Sequence, residues 1–242
     1  MKQLTISTWG PRALLLSWDP NIDLSIHREV MFVAHWVETQ FSEEVLEVVP
    51  AYHSVAVYLS EDTEITRFQA TLSAALQKKT VASEKDLKSN HYMLPVCYEN
   101  SYAPDMDAVA NALDRSRSEI IKLHTQPIYT VYGLGFLPGF PYLGGLPTSL
   151  HLARKNVPAT NLQAGSVGIG GKQTGIYPTE SPGGWHVIGN CPIPLFAAEK
   201  AEPALLKPGD RIQFRSISTV EWESISEAVH SRNFETEKLI VE

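Results

Sequence analysis

Residues 125–198 hold thirteen of the chain's fifteen glycines and nine of its sixteen prolines, but only four charged side chains. Glycine costs a regular element conformational entropy, and proline fixes φ and withdraws an N–H donor, so no long helix or strand can run through such a stretch. Short strands joined by tight turns remain. YTVYGLGF, SVGIGG, GIYP, WHVIGN and IPLFA supply them at close spacing, which is the pattern of a closed β-barrel. Within this region GFLPGFPYLGGLP (135–147) combines four glycines, three prolines and three aromatics with no charge. It is too interrupted for a helix and too apolar for an idle surface loop. Its aromatics Phe136, Phe140 and Tyr142 form either a partner-binding ridge or a plug of the barrel core.

The chain ahead of this region follows different periodicities. ALLLSW (13–18) and SVAVYL (54–59) have the β-branched, apolar character of strands. After the turn-like DPNID, Val30, Phe32, Val33, Trp36 and Val37 recur at helical spacing, and Ile65, Phe68, Leu72 and Leu76 share one face of a second helix over 63–79. This predicts a compact αβ unit. The polar stretch VASEKDLKSN (81–90) reads as a linker or hairpin connection, placing a domain boundary near residue 90, and YMLPVCY (92–98) opens the next domain as a strand. Asp105 is expected to cap a helix carrying Val109, Ala110 and Leu113. Ser116 and Glu119 form a capping box for another, which ends near His124 and is stopped by Pro127. KPGDRIQF (207–214) predicts a tight turn into a last strand, and Thr219–Val229 a terminal helix.

Charge and motif content exclude several functions. A net charge of −7 leaves no basic face for phosphates, which argues against nucleic acid. No apolar run approaches the roughly 20 residues that span a bilayer, and the first residues lack the apolar core of a secretory signal, so a cytoplasmic protein with no membrane partner is expected. Cys97 and Cys191 each stand alone, as buried inert thiols would. SVGIGGKQT (166–174) approaches a phosphate-binding loop. However, Ser166 replaces its first glycine, Gln173 its magnesium-binding hydroxyl, and GIYPTESPGG cannot make the following helix. GLGFLP (133–138) begins like a dinucleotide fingerprint, but Pro138 occupies the third glycine position. The eight histidines form no H-x-x-x-H or H-x-H pair, so no metal is expected. Ser181 lies in a turn-like TESPGG and is read as a backbone hydrogen-bonding residue or, less readily, a nucleophile. His124 is equally an acid–base group or a helix-terminal histidine favoured by the dipole. Lys172, Gln173, Thr174, Tyr177, Ser181 and Trp185 together offer donors and an aromatic platform suited to a polar ligand groove, or else a pair of hairpin turns.

Three long segments, GFLPGFPYLGGLP, AGSVGIGGKQTGIYPTESPGGWHVIGN and EPALLKPGDRIQF, resemble the family of the 5-oxoprolinase B subunit. That family also contains the sporulation kinase inhibitor of bacilli and the first-subunit module of allophanate hydrolase and urea carboxylase enzymes. The resemblance is strong over about residues 92–217 and looser before them. It implies an α+β fold, with a small N-terminal αβ domain (1–90) and a cyclophilin-like β-barrel domain (91–242) carrying a helical insertion and a C-terminal helix. It further implies a C-subunit-like partner of related barrel architecture and a third 5-oxoprolinase subunit. Together these open the lactam of 5-oxo-L-proline to L-glutamate at the expense of ATP, held by the complex and not necessarily by this chain.

On that resemblance Lys172, Gln173 and Thr174 contact phosphate or carboxylate and His124 handles protons. Phe136, Phe140 and Trp185 shape the cleft, with Tyr177 and Ser181 beside them. The resemblance also leaves open a regulatory protein docking on a histidine kinase, and a carboxyl-transfer module for urea-derived substrates. The sequence departs from the family where PVCYENSYAPDM places Glu99, Asn100 and Ala103 at positions usually small. It departs again where Ala159 and Gln163 stand in place of an arginine and a proline, with Arg154 nearby to compensate.

Overall fold

The computed structural model describes residues 3–78 and 89–241. Positions 81–88 of the expected linker lie outside them. The chain divides into two compact units, Met1–Lys88 and Ser89–Glu242.

The first unit is a four-stranded antiparallel sheet with two helices. Its elements are β1 (Thr5–Thr8), β2 (Ala13–Ser17), α1 (Leu24–Gln40), β3 (Val45–Ala51), β4 (Ser54–Leu59) and α2 (Ile65–Lys78), with strand order β1-β2-β4-β3. Strand alternation turns Leu14, Leu16, Val55, Val57 and Leu59 to one face, where they meet Val30, Val33 and Val37 of α1 and Phe68, Leu72 and Leu76 of α2. Asp23 fixes the start of α1 by accepting from the Ser25 and Ile26 N–H groups at 2.8 and 3.0 Å. Sequence reading missed β1 and β3. TIST carries one apolar residue, and β3 contains Pro50, which an edge strand tolerates.

The second unit contains β5 (His91–Cys97), α3 (Met106–Leu113), α4 (Arg117–Thr125), β6 (Tyr129–Leu134), β7 (Pro141–Gly144) and β8 (Ala159–Leu162). Then follow β9 (Ser166–Gly170), β10 (Gln173–Ile176), β11 (Ser181–Gly183), β12 (His186–Asn190), β13 (Arg211–Ile217) and α5 (Thr219–His230). Seven strands close a barrel in the order β10-β7-β6-β13-β5-β12-β9, while β8 and β11 form a separate ribbon. The fold is therefore α+β with a closed barrel, as the sequence led us to expect. β5 and β13 run parallel from His91–Arg211 to Cys97–Ile217, and their apolar runs meet Val131, Leu143, Ile169 and Ile188 inside.

The glycines make this interior possible by leaving room for rings. A Cβ on Gly144 would stand 2.2 Å from the Tyr132 ring, and one on Gly170 would stand 2.5 Å from that of Trp185.

Three local expectations are corrected. IPLFA forms no strand; only an isolated bridge joins Phe196 to Ala204, because Pro192 and Pro194 have no N–H to contribute to a ladder. TESPGG is not simply a turn, since Ser181 opens β11 against Leu162. Asp105 stands at the start of α3 but makes no side-chain cap. Its carboxylate is drawn away to the Val187 N–H at 2.7 Å and to Lys155 Nζ at 2.5 Å. The capping box of Ser116 and Glu119 forms in full at α4.

Candidate functional site

SVGIGGKQT folds as a β-hairpin. β9 and β10 pair Gly170 with Gln173 and Ile169 with Thr174, leaving Gly171 and Lys172 as the two-residue turn. Gly171 takes φ +65°, as such a turn requires of its first residue. The hairpin sets three candidate residues at different depths: Lys172 exposed at the tip, Gln173 half-buried, and Thr174 fully buried in the barrel. Leu152 holds the tip by exchanging backbone hydrogen bonds with Gly171 at 2.7 and 3.2 Å.

Thr174 connects the hairpin to His124. The Thr174 hydroxyl donates to the Gly168 carbonyl at 2.9 Å and lies 2.9 Å from His124 Nε2. Its proton is thus committed, so Nε2 carries the hydrogen that Thr174 accepts. Nδ1 is then an acceptor, and takes the Tyr98 hydroxyl proton at 2.7 Å. The relay runs one way, from Tyr98 through His124 and Thr174 to Gly168. Phe214 stacks on the imidazole at 4.5 Å, and the Tyr129 hydroxyl donates to the His124 carbonyl at 2.8 Å. No surface of His124 is exposed, and burial lowers its pKa from 6.5 to about 3. The ring is a neutral, fully satisfied component of the core.

The aromatic candidates also come together, in a packed block outside the barrel's main core. Phe140, Tyr177 and Trp185 are buried, with edge-to-face contacts at 5.2 Å between Phe140 and Tyr177 and 5.6 Å between Phe140 and Trp185. Tyr142 adds a third edge at 5.0 Å from Phe140. Burial raises the Tyr177 phenol pKa, offset in part by the backbone N–H of Trp185 and by the charge of Arg154. Phe136 behaves differently: 59% exposed and held at φ +65°, it stands edge-on to Phe140 and Tyr177 from outside. Phe140 is therefore buried in this side cluster and does not plug the barrel core, while Phe136 projects from the cluster as an exposed ridge. The Ser181 hydroxyl is buried without a hydrogen-bond partner among the described residues.

Sequence reasoning did not single out Arg117. With Tyr98, Glu99, Asn100 and Ser101 it lines an open depression of about 650 Å³. Its guanidinium pairs with Asp107 at 2.8 Å. The Thr219 hydroxyl, together with its N–H, which Glu99 accepts at 3.0 Å, ties the loop to the start of α5 and holds the Glu99 carboxyl below its usual value. The unusual Glu99 and Asn100 were the signal that this loop differs. Among the described residues no three His, Cys, Asp or Glu side chains converge as a metal set, and no helix is long and apolar enough to cross a membrane.

Comparison with known proteins gives consistent likenesses. The sequence profile of the carboxyltransferase domain, subdomain C and D, matches residues 4–206. The 5-oxoprolinase B subunit of Bacillus subtilis (strain 168) is 32% identical over 231 residues, covering 92% of this chain and 96% of that protein. The 5-oxoprolinase B subunit of Haemophilus influenzae is 37% identical over 202 residues, 84% of this chain and 92% of its own length. Among solved structures, the urea carboxylase of Kluyveromyces lactis superposes with a TM-score of 0.76 at 23% identity, covering 96% of this chain and 23% of that one. At that identity the likeness shows a shared fold alone.

Proposed function

The chain belongs to the carboxyltransferase-domain family, subdomain C and D, together with the 5-oxoprolinase B subunits, and we propose that it is a component of an ATP-dependent 5-oxoprolinase. In this reading it opens the lactam of 5-oxo-L-proline to L-glutamate with a C-subunit-like partner and a third subunit. The observation that carries it is the match along almost the whole length of the B-subunit proteins. The described residues do not fit the phosphates of ATP at 166–174, because β10 stands where a helix N-terminus would have to be. On this reading the nucleotide is held by the complex, outside this segment.

Lactam hydrolysis adds water to the carbonyl carbon, breaks the ring C–N bond and leaves the nitrogen as an amine. Negative charge develops on the carbonyl oxygen, and preorganised donors there lower the barrier. Lys172 and Gln173 supply such donors from the hairpin. Thr174 and His124 act from beneath as positioning residues, because their hydrogen bonds are already spent within the barrel. Phe136 forms the apolar wall that keeps water from the reacting centre.

A bacterium lacking its own B subunit and unable to use 5-oxoproline as nitrogen source should grow on it when this chain is supplied with its cognate partners. Failure with all three proteins expressed would remove the proposal. Lys172→Ala should lower kcat/KM of the assembled enzyme about 100-fold, the usual loss for one oxyanion donor, without changing assembly. A loss below about threefold, roughly 0.7 kcal/mol, would take Lys172 out of the site.

A further inference from the structure

Arg154 is a cation without a counter-charge. Arg12, Arg117 and Arg215 each pair with a carboxylate, and Lys155 pairs with Asp105, whereas no acidic side chain meets Arg154 among the described residues. Its guanidinium carbon instead lies 5.8 Å from the centroid of the Trp185 ring.

The backbone on both sides of Arg154 is tied down. The Leu152 N–H donates to the Gly171 carbonyl at the hairpin tip, and the Lys155 N–H donates to the Gly184 carbonyl at 2.8 Å. The Ala153 carbonyl lies 3.0 Å from His186 Nε2, and Lys155 anchors the far side through Asp105. Four ties within four residues therefore fix the backbone that carries this exposed, unneutralised guanidinium between the Lys172 hairpin and the Trp185 loop. Phe136 stands edge-on to the buried ring of Tyr177, and the Arg154 charge also acts on that phenol. The Ser181 hydroxyl, 8% exposed and without a partner among the described residues, lies on the strand leading into that loop. A cation seated on an aromatic face with no counter-charge suits a small, flat anion.

We propose that Arg154 is the carboxylate anchor of this site, and that the ligand it selects is a small ring compound bearing one carboxylate. The inference rests on the lactam-hydrolase reading for its substrate, and extends it by assigning specificity to one residue. The guanidinium fork donates to both carboxylate oxygens, which a lysine ammonium cannot reproduce. The rest of the ligand then lies toward the Lys172 hairpin, which the Leu152–Gly171 hydrogen bonds hold beside this segment.

The test titrates the full chain, in complex with its partners, with L-5-oxoproline, cyclopentanecarboxylate and the neutral lactam 2-pyrrolidinone, followed by calorimetry. The two carboxylates should bind about tenfold tighter than the neutral ring, or about 1.4 kcal/mol. Arg154→Ala should bring all three within about twofold, and Arg154→Lys should fall between. Undiminished discrimination in Arg154→Ala, equal binding of the neutral ring by the unmodified protein, or no binding by any of the three would overturn the anchor. Turnover of the same preparations separates the two ideas. Glutamate formation with an unchanged KM in Arg154→Ala rejects the anchor and keeps the enzyme. Carboxylate-selective binding lost in Arg154→Ala, with no glutamate formed by the unmodified complex, keeps the anchor and rejects the enzyme.

Discussion

Replacing His124 with alanine is expected to cost the barrel unit about 3–5 kcal/mol of folding stability, as measured by urea unfolding. The change leaves a void against Phe214 and strips hydrogen-bond partners from Tyr98 and Thr174, both buried. His124→Gln, which keeps a donor for Thr174, should lose less than half as much. The pH dependence carries the more specific signature. Because burial holds the folded-state pKa near 3 against 6.5 for the free side chain, the unfolded chain binds a proton that the folded chain refuses. Stability from this group is complete above about pH 6.5 and declines as the pH falls toward 3, by at most about 5 kcal/mol. The His124→Gln variant should show a shallower loss of stability between pH 6.5 and 4.5 than the unmodified protein. Parallel pH curves would mean that the imidazole is charged in the folded state, and with it the assignment of a one-way relay would fall.

Gly170→Ala is expected to be the other severe change, at about 3 kcal/mol, at the upper end of the cost of overpacking a core. The added methyl would lie 2.5 to 2.7 Å from three atoms of the Trp185 ring, which is 4% exposed and held by Phe140 and Tyr142. Displacement of the ring would also move the surface beneath Arg154, so near-ultraviolet circular dichroism should change along with the unfolding midpoint. A companion Trp185→Leu substitution should recover part of the loss, because it removes the obstacle. Wild-type stability for Gly170→Ala would show that Trp185 is not packed as described.

These two residues show where sequence reading succeeds and where it stops. The capping box at Ser116, the terminal helix from Thr219 and the short strands of the glycine-rich region are local signals, and they were legible because each is set within one turn or one strand. His124 was ambiguous because its partners Tyr98 and Thr174 lie 26 and 50 residues away, and the helix-terminal position they complete is the same for a catalytic and a core histidine. The glycines were legible as breaks in long regular elements, but not as the seats of the Tyr132, Trp185 and Tyr177 rings beside Gly144, Gly170 and Gly183. Trp185 and Phe140 were expected to shape one cleft; the structure packs them against each other in a buried block, a depth the sequence did not signal. Depth is set by β8, β11 and the 152–155 segment, which bring no periodic signal of their own. Arg154 became meaningful only when its neighbours' charges were seen to be paired elsewhere.

The most direct measurement is glutamate release from L-5-oxoproline with ATP, comparing the two partner subunits alone with the same subunits plus this chain. An enzyme component requires turnover only in the complete mixture, with stoichiometric ATP hydrolysis. Equal turnover without the chain, or a stable three-protein complex that forms no glutamate, would contradict the assignment and favour a regulatory binding protein on the same fold.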